Sequence, residues 1–168
     1  MPLSMYAASA LRFLHMLDNQ SALLGKAQAH IDVKKLDPAA LTTARLFPDM
    51  FHLARQVQVS CDLAKGLVAR LGGVEVPKHE DTEQTIPELQ ARIAKTIAFI
   101  NSVPQASIDA SADRDITLKL GKQDYTFKGM DYLLKFAQPN FYFHVTTAYN
   151  ILRHNGVELI KKDYVGKF

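Results

Sequence analysis

The chain has 168 residues, 48% of them hydrophobic and 22% charged, with 20 Lys and Arg against 17 Asp and Glu. That length and balance fit one domain, read here as residues 1–168, with a core large enough to need no disulfide staple. They exclude a disordered tail, a fibrous repeat and a cysteine-stapled scaffold. The net charge of +3 is spread along the chain, so no basic stripe marks a nucleic-acid partner.

Lys161-Lys162, with Lys167 beyond, is the densest basic cluster and reads as part of a solvated polar tail. Cys61, the single cysteine, lies in an apolar helical stretch and reads as a buried, inert thiol, although Lys65 four residues on could supply some activation. The opening Met1-Pro2-Leu3-Ser4-Met5-Tyr6 lacks the charged start of a secretory leader. No apolar run approaches the ~18–20 residues of a bilayer span. A soluble, cytoplasmic protein with no membrane partner is expected.

Residues 4–29 predict a long amphipathic helix capped by Ser4, with Tyr6, Ala10, Phe13, Leu14, Leu17, Ser21 and Leu24 on one face. Asp37-Pro38 pairs a cap with a proline at the first helical position and opens a short helix to Ala44. A second long helix is predicted from Met50 to Leu71, with Phe51, Val57, Cys61 and Leu67 in its apolar stripe, ended by Gly72-Gly73. Thr85-Ile86-Pro87-Glu88 fits a capping box for a third helix reaching Asn101. Ile86, Leu89, Ile93, Ile97 and Ile100 mark its buried face, with Arg92, Lys95 and Thr96 outside it.

The period then changes. Ile116, Leu118 and Leu120, followed by Tyr125 and Phe127, alternate with polar residues and predict a hairpin turning through Gly121-Lys122-Gln123-Asp124. A fourth helical pattern runs from Gly129 to Asn155, where Pro139 should kink or split it. The expected class is therefore mainly all-α: a four-helix bundle with a small β-hairpin before the last helix.

Of six histidines, His30 and His79 fall in polar links and read as surface residues, and His154 suits the negative end of a helix dipole. His144 lies among Phe141, Tyr142, Phe143 and Val145, with Asn140 one turn earlier on the same face. Such a pair resembles half of a bundle metal site, with His52, Gln56 or Gln58 of the second helix as options for a further ligand. The alternative is a core histidine hydrogen-bonded to an amide. Gln56 and Gln58 point to different faces, so one serves the interior and the other solvent or a partner. Phosphate-loop, zinc-protease and nucleophile-elbow motifs do not occur.

The segments Pro48-Asp49-Met50-Phe51, Arg55-Gln56-Val57-Gln58, Asp81-Thr82-Glu83 and His144-Val145-Thr146-Thr147-Ala148-Tyr149 through Gly156 resemble a bacterial family of unknown function similar to the DinB/YfiT-like superfamily. The resemblance covers almost the whole chain. It implies a four-helix bundle, often a homodimer. It also implies, for many members, a divalent metal such as Zn²⁺ or Ni²⁺ on three histidines, one from the second helix and two from the fourth. Some such members transfer low-molecular-weight thiols such as bacillithiol or mycothiol. The family's His-x-x-x-His, followed by Arg, maps onto Asn140, His144 and Arg153, so Asn140 replaces one ligand. Two functions follow as expectations: a non-catalytic or small-ligand-binding module with a degenerate metal site, or a metal-dependent thiol transferase using His52, Asn140 and His144. Leftover apolar residues Leu11, Leu23 and Tyr132 suggest a homodimer surface.

Overall fold

The computed structural model describes residues 3–167. Met1 and Pro2, part of the start read above as lacking a leader's charge, lie outside the described residues, as does Phe168. Four long helices carry the fold: α1 (Arg12–Lys34), α3 (Leu53–Gly72), α4 (Ile86–Ser102) and α7 (Gln138–His154). Short helices α2 (Pro38–Thr42), α5 (Gln105–Asp109), α6 (Gly129–Asp131) and α8 (Lys161–Val165) and the hairpin β1 (Asp115–Leu120) and β2 (Gln123–Lys128) fill the links and the end. Neighbours around the bundle run α1, α4, α3, α7 and back to α1. Phe13 of α1 stacks on Phe141 of α7 with centroids 4.0 Å apart. Ser60 of α3 donates to Gln20 of α1 across the core at 2.9 Å.

The local start signals behave as expected. The Ser4 hydroxyl accepts from the Ala7 N–H, Asp37 caps α2 ahead of Pro38, and Thr85 and Glu88 close a reciprocal capping box on α4. The first helix overruns the expected end: Gly25 stays inside it, and it stops only at Lys35, whose φ of 53° is left-handed. Conversely α3 begins late, at Leu53, so Phe51 precedes the helix and is 49% exposed rather than in the apolar stripe.

Four expectations are corrected. Arg92 and Thr96 are buried, because the face of α4 against α3 includes their positions as well as Leu89 and Ile93. The hairpin turns on two residues, since Leu120 pairs with Gln123 and Gly121 takes φ 64°. The last residues form no free tail. Val157 and Leu159 are buried and α8 docks on α1, where Lys26 pairs with Asp163 at 2.7 Å and Asn19 donates to the Tyr164 and Val165 carbonyls. Leu23 and Tyr132 are buried in the core, leaving only Leu11 of the three exposed.

At the fourth helix, a π-helical segment (Tyr132–Ala137) leads directly into α7, and Pro139 sits in the first turn of the α-helical stretch. The change of hydrogen-bond register ahead of Pro139 accommodates the missing N–H, so the chain stays helical through it. Before this segment, Ile116 and Leu118 of β1 are buried, and Phe127 of β2 packs on Tyr132 and Phe136.

Candidate functional site

His144 sits one-third of the way along α7, facing α3. Its Nδ1 lies 2.7 Å from Oε1 of Gln56, a residue 1% exposed. The other end of that amide, Nε2, donates to the Phe51 carbonyl at 3.0 Å. The amide is therefore held by both ends, with its oxygen toward the imidazole. An oxygen only accepts, so the hydrogen-bond partners assign the proton to Nδ1 and leave Nε2 as the lone-pair nitrogen. Two aromatic rings flank the imidazole: Phe51 nearly parallel at 6.4 Å and Phe143 edge-on at 5.2 Å. The Arg55 guanidinium lies 5.6 Å from the Phe51 centroid. Burial first, and the Arg55 charge second, hold the His144 proton affinity below that of an ordinary histidine.

The remaining sequence candidates go elsewhere. His52 caps α3, its Nδ1 accepting from the Arg55 N–H at 3.3 Å. Gln58 faces the opposite side from Gln56 and donates to Glu83 at 3.0 Å. Asn140 shares a face with His144, but its amide donates back to the Phe136 carbonyl at 2.7 Å, inside the π-to-α transition. The structure thus brings Gln56 to His144 and leaves Asn140, His52 and Gln58 in structural roles.

A second polar cluster was not anticipated from the sequence. The Arg92 side chain, 1% exposed, reaches Asp62 at 2.8 Å, Asp81 at 2.9 Å and Glu83 at 3.0 Å, and donates to the Glu80 carbonyl. Lys65 pairs with Asp62 at 2.6 Å, and Arg55 pairs with Asp81. Arg92 follows Leu89 by three residues, a spacing compatible with burial although the isoleucine stripe of α4 left it outside. The carboxylates of the preceding loop, Asp81 and Glu83, were the accompanying signal. His79 belongs to this neighbourhood rather than to open surface: its Nδ1 is buried without a partner, and burial lowers its proton affinity, aided by Lys65. Below them, burial pushes the Cys61 thiol up to about 12.

The family described as "Domain of unknown function (DUF1993)" matches residues 5–165. The chain belongs to the DUF1993 family. A crystal structure of a DinB family member from Shewanella denitrificans superposes on this DUF1993 chain with a TM-score of 0.90 and 43% identity, covering 97% of this chain and 92% of that one. The family therefore lies within the DinB-like superfamily. No curated protein matches the chain.

The donors of this DUF1993 site do not fit the three-histidine metal that the resemblance implies. One imidazole is present, and the second-helix position facing it is an amide whose oxygen and nitrogen are both engaged. The residue one turn before it, Asn140, is turned onto backbone. Amides are weak ligands for Zn²⁺ or Ni²⁺ beside imidazole, thiolate or carboxylate. Among the described residues no group of three or more His, Cys, Asp or Glu is arranged to hold an ion.

Proposed function

We propose that this DUF1993 protein is a non-catalytic module that binds a small ligand or partner through a degenerate metal site. In it, a hydrogen-bonded imidazole–amide pair stands where the superfamily resemblance implies an ion. The observation that carries the reading is the 2.7 Å contact between His144 and Gln56, with Gln56 anchored to the Phe51 carbonyl. An ion could reach only Nε2 of His144, since Gln56 takes Nδ1, and among the described residues no group of three or more His, Cys, Asp or Glu completes a shell around it. What remains available is His144 Nε2. Burial and the Arg55 charge favour the neutral ring, and in that form Nε2 accepts a hydrogen bond from a ligand N–H or O–H. Phe51 and Phe143, 49% and 55% exposed, offer flat apolar contact beside it.

Elemental analysis of protein purified without a histidine tag tests this. The expected result is no metal in proportion to the chain. Stoichiometric Zn²⁺ or Ni²⁺ that disappears in His144→Ala would overturn the reading and favour the metal-dependent thiol transferase.

A further inference from the structure

The docking of the C-terminal segment builds a cleft that the His144 site does not share. It lies where α1, α7 and α8 meet and encloses about 490 Å³, within the ~300–1,000 Å³ typical of small-molecule sites. Leu11, Met16, Tyr142 and Tyr164 supply apolar walls, and Arg12 and Lys167 stand at its edge. The wall formed by α8 is fixed. His15 Nε2 lies 2.7 Å from the Val165 carbonyl, which also accepts from Asn19 at 2.9 Å, and the Tyr164 hydroxyl meets Thr146 at 2.9 Å. Tyr142 is braced edge-on against Phe13 and Phe141.

The charge of this cleft sets it apart. Among the described residues no carboxylate lines it, and neither Arg12 nor Lys167 forms an ion pair. The other clefts of comparable size each contain at least one acid: Glu158 in one, Asp18 and Asp163 in another, which Lys167 also borders, and Asp81 and Glu83 in a third. We infer that the cleft between α1, α7 and α8 binds an amphipathic organic anion, a carboxylate with an apolar body. The head meets the Arg12 and Lys167 cations, and the body lies along Leu11, Met16 and the two tyrosines. The guanidinium is suited to a carboxylate because its N–H groups present a planar fork.

Octanoate, octanol and octylamine, titrated into the full chain at low salt and followed by amide NMR, test the assignment. Octanoate should bind saturably and shift the amides of Leu11, Tyr142 and Tyr164, with octanol about tenfold weaker and octylamine weaker still. The double variant Arg12→Gln, Lys167→Gln should lose about tenfold in octanoate affinity; both side chains are exposed, so its fold is retained. Absence of saturable octanoate binding, equal binding of octanol, perturbations confined to other surfaces, or an unchanged double variant would each overturn the proposal. None of these outcomes depends on His144, so the metal analysis and this titration succeed or fail separately.

Discussion

Replacing Arg92 with methionine keeps an apolar stem on α4 and removes the guanidinium at the centre of the Asp62–Asp81–Glu83 cluster. Losing one partner of a buried ion pair costs about 3–5 kcal/mol, because the remaining charge stays desolvated. Here the penalty falls toward the lower end. Asp62 and Asp81 are 37% and 38% exposed and keep Lys65 and Arg55 as partners. Only Glu83, 14% exposed, is left nearly dry, with Gln58 as its remaining donor. A loss of about 3 kcal/mol follows. At about 2.1 cal/mol/K per residue, 168 residues give an unfolding entropy of about 350 cal/mol/K, so Tm should fall by about 8 °C.

Urea unfolding followed by circular dichroism measures the loss, and Arg55→Met is the comparator. The Arg55–Asp81 pair is 34% and 38% exposed on its two sides, which limits its worth to less than about 1 kcal/mol. Arg92 also holds the loop through the Glu80 carbonyl, so amide exchange at residues 80–84 should speed up in Arg92→Met and stay near wild type in Arg55→Met. Equal costs for the two variants, or unchanged exchange in that loop, would refute the account of a buried organising cation.

The His144 shift makes folding pH-dependent with a definite sign. Its folded-state proton affinity lies below the ordinary 6.5, so below that pH the unfolded chain binds a proton that the folded chain resists. Stability should therefore fall as pH drops from about 7 to about 5, and His144→Phe should flatten part of that fall; identical wild-type and variant slopes in urea titrations would count against it. Cys61, fully buried and raised to about 12, should not react with Ellman's reagent at about pH 8 until the chain is unfolded, and rapid native labelling would contradict its burial. Gly129→Ala would drive a methyl into the Ser111 carbonyl oxygen, and the backbone shift this forces should cost about 1–3 kcal/mol in the same unfolding assay. Of the residues read as a homodimer surface only Leu11 is exposed, so a second copy would have to cover it with further exposed apolar side chains such as Phe47; light scattering should return twice the chain mass, and a single-chain mass would refute the dimer.

What the sequence disclosed was whatever short-range chemistry decides. Thr85 and Glu88 satisfy each other's backbone within three residues, and Asp37 needs only Pro38 and Ala39, so these caps could be read directly. Period also placed His144 inward and separated Gln56 from Gln58. Where reading stopped, a distant or backbone partner made the choice. Asn140 had the right spacing to join His144, but the Phe136 carbonyl beside Pro139 claimed its amide. Arg92 lay outside the isoleucine stripe of its helix, and only the distant Asp62, Asp81 and Glu83 that surround it show why its position is buried. The segment after Gly156 has too few apolar residues for a period of its own. It is ordered by His15 and Asn19, about 145–150 residues earlier in the chain. The same logic makes residue 56 the decisive position of the site. His144 with its Nδ1 proton on Gln56 keeps an Nε2 lone pair that either chemistry could use, so the choice falls to the missing partners: residue 56 supplies an amide where an imidazole would be needed, and Asn140 is turned onto backbone.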